Sequence, residues 1–147
     1  MIVPDVVHVL LRQHDDIRRL CADIRQAGGT DKKRLFAELY HLVNVHELGD
    51  RAVVHPATRQ STADGNRIGM ACMVEGGDVT RALAELHALG VEHATFDDKF
   101  TIVQQAIHDH TAHEERDEFP MLRQYVPTQR LQMMAGELHD VQVMGAG

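Results

Sequence analysis

The sequence predicts an all-α protein, an up-down-up-down four-helix bundle with a short fifth helix at the C-terminus. Apolar residues recur at intervals of three and four along most of the chain, which is the period of a helix with one buried face. No segment has the alternating pattern of a β-strand. Stretches rich in Gly, Pro and polar residues separate the helical segments, as expected where antiparallel helices are joined by short turns.

Composition is that of a globular protein, and it excludes several functions. With 147 residues, 44% apolar and 25% charged, the chain is predicted to form one domain spanning residues 1–147. A net charge of -7 argues against nucleic acid as a partner, and no apolar run is long enough to cross a membrane. No signal peptide is recognised, and Cys21 and Cys72 are expected to stay free thiols, so we expect a cytoplasmic protein.

The first half of the chain predicts two long helices. The first covers about residues 5–26, and His14 is the single polar member of its apolar stripe. The glycines at 28 and 29 end that helix. The second helix covers about residues 31–59, and Pro56 is expected to kink or end it.

The second half predicts two more bundle helices and the C-terminal helix. Gly76 and Gly77 interrupt the third of these helices, where Asp78 could begin a new one. The predicted segments are a polar turn at 61–67, a third helix from 68, a turn at 89–95, a fourth helix at 96–125 and a C-terminal helix at about 128–143. The four-helix bundle therefore occupies about residues 5–125.

A doubled motif marks the second and fourth helices. In each copy a His is followed four residues later by an acid and ten residues later by a Pro: His46, Asp50 and Pro56, then His110, Glu114 and Pro120. Residues four apart lie on one helix face. A lone acid on an apolar face is costly unless it is paired or binds a metal. The repeated spacing therefore indicates two copies of one helical hairpin that carries half of a metal site.

Distances along the helices suggest which polar residues meet. His14 and His46 lie about equally far from the turn at Gly29, so their positions along the bundle axis agree to within roughly 3 Å. Glu75 lies about as far before the second turn as His110 lies after it. The third helix therefore contributes Glu75, although this residue could instead flank the Gly-Gly break. His87 and His93 are alternative ligands, but His87 is roughly 16 Å too far along.

The predicted metal ligands form one polar layer across the bundle. Imidazole and carboxylate ligands together suit iron, manganese or zinc. Six ligands are too many for one tetrahedral zinc ion and fit a pair of ions with open positions. The alternative for Asp50 is a surface ion pair, for example with Arg51. The predicted set is His14, His46, Asp50, Glu75, His110 and Glu114.

These motifs resemble the hemerythrin-like HHE cation-binding domain family over about residues 5–125. The resemblance is carried by His14, by His46-x-x-x-Asp50 with Pro56, and by His110-x-x-x-Glu114-Glu115 with Phe119-Pro120. It implies a non-haem di-iron site, with two iron ions joined by an oxo or hydroxo group and by the two acids. The matching ligands are His14, His46, Asp50, His110 and Glu114. The chain departs from the family pattern at Asp50, where Glu is usual, and at Gly76, where a His is expected.

Two functions follow from the resemblance, and a third needs no metal. The first is binding or reduction of a small oxidant, namely dioxygen, peroxide or nitric oxide. The second is a non-catalytic iron or oxygen sensor, or a metal store, that tightens when metal binds. The third is a helical interaction module with vestigial histidines. Oxygen-carrying hemerythrins have a pair of histidines on the third helix, and the absence of that pair argues against reversible oxygen carriage.

Overall fold

A computed structural model describes residues 3–146, and all regular secondary structure within that range is helical. The predicted all-α bundle is therefore confirmed. The helices are α1 (Val6–Gln26), α2 (Gly29–Gly49), α3 (His55–Ser61), α4 (Ala63–Leu89), α5 (Phe96–His113), α6 (Phe119–Tyr125) and α7 (Thr128–Ala146). A first π-segment (Asp50–Val54) joins α2 to α3, and a second π-segment (Glu114–Glu118) joins α5 to α6.

Local sequence signals determine where α1 and α4 end. Asp5 caps α1, because its carboxylate accepts the backbone N–H of His8 at 3.0 Å while its own N–H donates to the His8 ring at 3.2 Å. This reciprocal pair satisfies two amides that the first turn leaves without partners. Gly90 ends α4 with a φ of 89°, a left-handed conformation that glycine adopts at little cost.

Each π-segment begins at the acid of a predicted motif and ends just before its proline. The backbone N–H of His55 reaches the carbonyl of Asp50, and that of Phe119 reaches the carbonyl of Glu114. A proline ring clashes with the carbonyl four residues earlier in a continuous α-helix. The wider π turn relieves that clash, so the chain continues as α3 or α6 rather than ending at Pro56 or Pro120.

The predictions for the third helix were wrong at two places. The turn expected at 61–67 is reduced to Thr62, whose hydroxyl accepts the N–H of Gly65 at 2.8 Å and caps α4. The expected break at Gly76 and Gly77 is also missing, since α4 is continuous from Ala63 to Leu89. Helix propensity alone misleads here, because tertiary packing keeps glycines within the helix.

Two apolar clusters lie on either side of the polar layer. In α1, for example, Leu10 belongs to one cluster and Ile17 to the other, with His14 between them. The first cluster packs residues of α1, α2, α4 and α5, including the fully buried Phe96. The second packs α1, α6 and α7 around Leu138. The bundle therefore encloses the polar layer between two apolar clusters.

Helix α7 packs against α1 and α2 and reaches three residues beyond its predicted end. A Cβ built on Gly49 would overlap Leu138 and lie 2.9 Å from the Gln142 amide nitrogen, so α2 and α7 approach closely there. Gln142 also exchanges hydrogen bonds with Gln13 of α1. The C-terminal helix thus supports the bundle beside the start of the first π-segment.

Cys21 and Cys72 are both buried, and neither forms a disulfide, which confirms the expected free thiols. Burial raises the pKa of Cys21 to about 12, so this thiol stays protonated at neutral pH. Among the residues described, no helix combines the length and apolarity that crossing a bilayer requires.

We predict that Gly65→Ala destabilises the protein whereas Gly136→Ala does not. A Cβ at Gly65 would overlap the Thr58 carbonyl oxygen, which is backbone and cannot move freely. The expected cost is about 1–3 kcal/mol. A Cβ at Gly136, inside α7, meets no atom within 4 Å, so alanine there should add up to about 1 kcal/mol. Urea unfolding of both variants measures the difference, and equal midpoints would contradict the close packing of α3 on α4.

Candidate metal centre

Three histidines from three helices converge on one carboxylate oxygen. The Nε2 atoms of His14 (α1), His46 (α2) and His110 (α5) lie 3.1, 3.6 and 3.7 Å from Oε1 of Glu114. His14 and Glu114 have no solvent exposure. The sequence pattern predicted this convergence, because each of these residues is a polar member of an apolar stripe.

Two further acids complete the buried layer. Oδ2 of Asp50 lies 3.2 Å from Nε2 of His46. Glu47, which is 2% exposed, places its Oε1 2.8 Å from Nε2 of His110. Glu47 was not predicted as a ligand, because the predicted apolar stripe of α2 contains His46 and Asp50 but not Glu47. The acid directly after His46 was the available signal, but whether it faces the cluster depends on which residue of the neighbouring helix lies opposite.

Gly76 of α4 explains why Glu47 fits there. A Cβ at Gly76 would overlap Oε2 of Glu47 and lie 3.0 Å from its Cδ and 3.2 Å from Nε2 of His110. The space that a side chain at position 76 would occupy is thus filled by the carboxylate of Glu47 from α2. The resemblance implies a His on the third helix at this position, and this chain instead has Gly76 with the Glu47 carboxylate beside it.

Each of the three histidines is held by a hydrogen bond at its outer nitrogen. Nδ1 of His14 donates to Glu115 at 2.7 Å, that of His46 donates to Gln13 at 2.7 Å, and that of His110 donates to Glu75 at 2.8 Å. Such outer partners fix ring orientation and make the inner nitrogen a better metal ligand. The three Nε2 atoms are thereby aimed at the interior of the layer.

The structure does not bring Glu75 into the buried cluster. Its side chain is 31% exposed, and its two oxygens accept hydrogen bonds from Nδ1 of His110 and Nδ1 of His113. The buried stripe of α4 passes through Gly76 rather than Glu75. The residue of α4 that faces the cluster therefore lies one position after the one predicted from the sequence. His87 is exposed on the same helix, and its ring stacks on Tyr40. Glu75 therefore contacts the predicted ligand His110 from outside.

The buried layer carries polar atoms that the protein alone does not satisfy. Within residues 3–146, both carboxylate oxygens of Asp50 and the Oε2 of Glu114 are buried without a hydrogen-bond partner. Burial raises the pKa of Asp50, and the charge of Glu114 raises it further, so that it lies well above its usual range. Such atoms need a partner, since burying a polar group without one is costly.

The donor set fits a metal ion. In each of two overlapping groups, one donor atom from every residue lies within 4.8 Å of the others, and both groups include Glu114. A cation between them would satisfy the oxygens of Asp50 and separate acids that otherwise repel one another. The groups are His14, His46 and Glu114, and His46, Glu47, Asp50 and Glu114.

Helices that enclose a buried layer of imidazole and carboxylate groups are the architecture of helical-bundle metal sites. The family model for the hemerythrin HHE cation binding domain matches residues 5–122. The chain therefore belongs to the hemerythrin HHE cation-binding family. No curated protein matches the chain significantly in sequence.

A solved structure has the same fold. It is the crystal structure of a hemerythrin HHE cation binding domain-containing protein from Mycobacterium kansasii, and it superposes with a TM-score of 0.85. The match covers 98% of this chain and 88% of the other chain at 18% sequence identity. At that identity the comparison supports the fold alone.

We predict that Glu47→Gln loses more metal than Glu75→Gln. Gln at position 47 replaces an inner carboxylate with a neutral amide, so at least part of the bound metal should be lost. Gln at position 75 still accepts the hydrogen bond of His110, and loss of an outer partner typically lowers metal affinity by about 10–100-fold. Elemental analysis after dialysis against a weak chelator measures both. A metal-poor Glu75→Gln beside a fully loaded Glu47→Gln would restore Glu75 as the inner ligand.

We predict that metal binding releases protons and tightens as pH rises. Burial alone lowers the pKa of His110, but its hydrogen bond with Glu47 and the charge of Glu114 raise the pKa to about 10. Burial also lowers the pKa of His46, but the neighbouring Asp50 raises it by more, so the pKa of His46 lies well above its usual value. Without metal, both rings therefore carry a proton on each nitrogen near neutral pH. A metal ion must displace the proton on the inner nitrogen of each ring. Affinity should rise about tenfold per pH unit for each proton displaced.

Competition between the protein and a chelator of known affinity, with zinc as the probe, measures this dependence. The assay is run at several pH values between 6 and 8, and an indicator dye in weak buffer measures the released protons. An affinity that does not change with pH would contradict protonation of His46 and His110 in the metal-free protein.

Proposed function

We propose that this protein holds two iron ions and uses them to bind or reduce a small oxidant, namely dioxygen, peroxide or nitric oxide. The observation that carries the proposal is the convergence of three Nε2 atoms on Glu114 beside carboxylate oxygens that have no partner within the described chain. Nitrogen and oxygen donors of this kind suit iron.

The cluster divides into ligands for two ions around shared acids. His14 and His46 would hold one ion, and His110 with Glu47 would hold the other. Glu114 is close to all three histidines, so it is the natural ligand to share. Oδ2 of Asp50 lies 3.2 Å from Nε2 of His46 but forms no hydrogen bond with it. Neither oxygen of Asp50 has another hydrogen-bond partner among the described residues, so Asp50 can act as the second shared acid.

Burial of the cluster limits what can react there. His14, Asp50 and Glu114 have no solvent exposure, and apolar clusters lie on both sides of the layer. A molecule larger than a few atoms cannot reach the cluster without opening the bundle. When bound, the iron ions would supply an open coordination position and the redox chemistry for such a molecule.

Two partly exposed acids lie at the edge of the cluster and contact its histidines. Glu75 and Glu115 are 31% and 29% exposed, and each accepts a hydrogen bond from a histidine Nδ1. Arg18 donates to the same Glu115 oxygen that His14 contacts, and against the effect of burial the hydrogen bonds from His14 and Arg18 hold the pKa of Glu115 below its usual value. These acids orient the imidazoles and connect the buried layer to solvent.

The exchange of an imidazole for Glu47 favours reduction of the oxidant over its reversible binding. A carboxylate carries a negative charge where an imidazole carries none. In a buried site a negative ligand stabilises the more highly charged ferric ion relative to the ferrous ion. Electron transfer to the oxidant is therefore made easier. The cytoplasmic location expected from the sequence remains a prediction, and we propose no protein partner.

The test is metal content followed by turnover. Protein produced in iron-supplemented medium should contain about two iron ions per chain, as six or more ligands allow, and should absorb in the near ultraviolet. Supplied with ascorbate as the electron donor, the iron-loaded protein should reduce hydrogen peroxide to water repeatedly, and His46→Gln should lose both iron and turnover. His139→Gln is the matched control, because His139 is exposed on α7. Zinc at about one ion per chain would contradict the proposal, whereas iron without turnover would favour a sensor or store.

A further inference from the structure

A second group of buried polar residues lies next to the layer formed by His14, His46, Glu47, Asp50, His110 and Glu114. His55 at the start of α3, Thr58 one turn later and Glu118 at the end of the second π-segment are 1%, 0% and 0% exposed. The sequence analysis did not select His55 or Glu118 as ligands. These two residues link the two halves of the doubled motif, because each belongs to a different copy.

His55 is held like the three histidines of the metal centre. Its Nδ1 donates to Oε2 of Glu118 at 2.8 Å, while its Nε2 is buried and has no hydrogen-bond partner in the described range 3–146. The Thr58 hydroxyl donates to the same Glu118 oxygen at 2.7 Å. An imidazole whose outer nitrogen is fixed by a carboxylate and whose other nitrogen is free has the geometry of a metal ligand.

Within the described chain, Glu118 and Glu114 each add an unpartnered oxygen to this group. Oε1 of Glu118 and Oε2 of Glu114 are also buried and lack partners among residues 3–146. One donor atom from each of His55, Glu114 and Glu118 lies within 4.8 Å of the other two. Glu114 uses its other oxygen, Oε1, for His14, His46 and His110, so Oε2 is available.

The π-segments account for this placement. A π turn holds more residues than an α turn, so residues four and five positions apart come onto one face. His55 follows Asp50 by five positions and Glu118 follows Glu114 by four. Both side chains consequently face inward near the acids that begin the two π-segments.

An ion pair between His55 and Glu118 does not by itself satisfy these atoms. It uses one nitrogen and one oxygen and leaves Nε2 of His55, Oε1 of Glu118 and Oε2 of Glu114 without partners. Each buried polar atom without a partner costs on the order of 1–3 kcal/mol. A single cation among the three would satisfy all of them.

We propose that His55, Glu118 and Glu114 hold a further divalent transition-metal ion, such as zinc, manganese or ferrous iron, in addition to the iron pair. The proposal rests on the proposed function only in that Glu114 is shared between the two sites. One imidazole and two carboxylates form a donor set that these three metals accept. Glu118 has two roles, since one oxygen orients His55 while the other faces the ion.

The experiment counts metal ions in variants of the full-length protein. Wild type, His55→Gln, Glu118→Gln and the control His139→Gln are produced with iron, equilibrated with zinc, desalted and analysed for both metals. The two site variants should hold about one ion fewer than wild type in the sum of iron and zinc, while their near-ultraviolet absorption stays unchanged. The control should match wild type. Equal totals in all four proteins would overturn the proposal, as would loss of every metal from a folded site variant.

A double variant distinguishes loss of the additional site from loss of the fold. Removing one partner of a buried pair is destabilising, whereas replacing both by apolar residues is often neutral. His55→Leu combined with Glu118→Met should therefore stay folded by circular dichroism and still lack the additional ion. Full metal content in this folded variant would show that the pair is only structural.

A zinc-only measurement separates this inference from the di-iron proposal. Metal-free wild type and the double variant are titrated with zinc and compared by their saturating stoichiometry. A difference of about one ion supports the additional site even if the protein never binds iron. Two iron ions in wild type with no zinc difference would instead keep the di-iron proposal and refute the additional site.

Discussion

The burial of several carboxylates between two apolar clusters is the constraint on which the rest of the structure depends. Glu47, Asp50, Glu114 and Glu118 are each at most 2% exposed. Carboxylates packed this closely repel one another, and burial disfavours their charged form. The raised pKa of Asp50, caused first by burial and then by the charge of Glu114, is the direct consequence. Histidines supply part of the opposing charge, and the proposed cations would supply the remainder at the unpartnered oxygens. Under the proposed function, metal binding would therefore stabilise the folded bundle.

The helices position the donors, and side chains from neighbouring helices hold them in place. Each ring of the centre donates its outer hydrogen bond to another element: the ring on α1 to the second π-segment, the ring on α2 to α1, and the ring on α5 to α4. The C-terminal helix joins this network through Gln142, which bonds to Gln13 and thus to the partner of His46. The close approach of α7 to Gly49 holds that network in place. Helix α7 thereby supports the site although it provides no donor to the cluster.

The two π-segments make the doubled motif asymmetric. Both begin at an acid and precede a proline, yet the first leads to His55 and the second ends with Glu118. These two residues meet as a hydrogen-bonded pair between the halves of the bundle. One repeated helical hairpin thus yields like residues at His46 and His110 but complementary residues one turn later. That complementarity creates the second buried group, which a strict repeat would not contain.

The sequence by itself determined the helices and most of the central layer. The helical period places a residue on a face regardless of its neighbours, so His14, His46, Asp50, His110 and Glu114 could be recognised as polar members of apolar stripes. Only the tertiary structure decided how the third helix takes part. The space beside Gly76 exists only when α2 and α4 lie side by side, and it admits Glu47 while Glu75 remains outside. The inward position of His55 depended likewise on a π turn that changes the helical period, which no count of α-helical spacing contains.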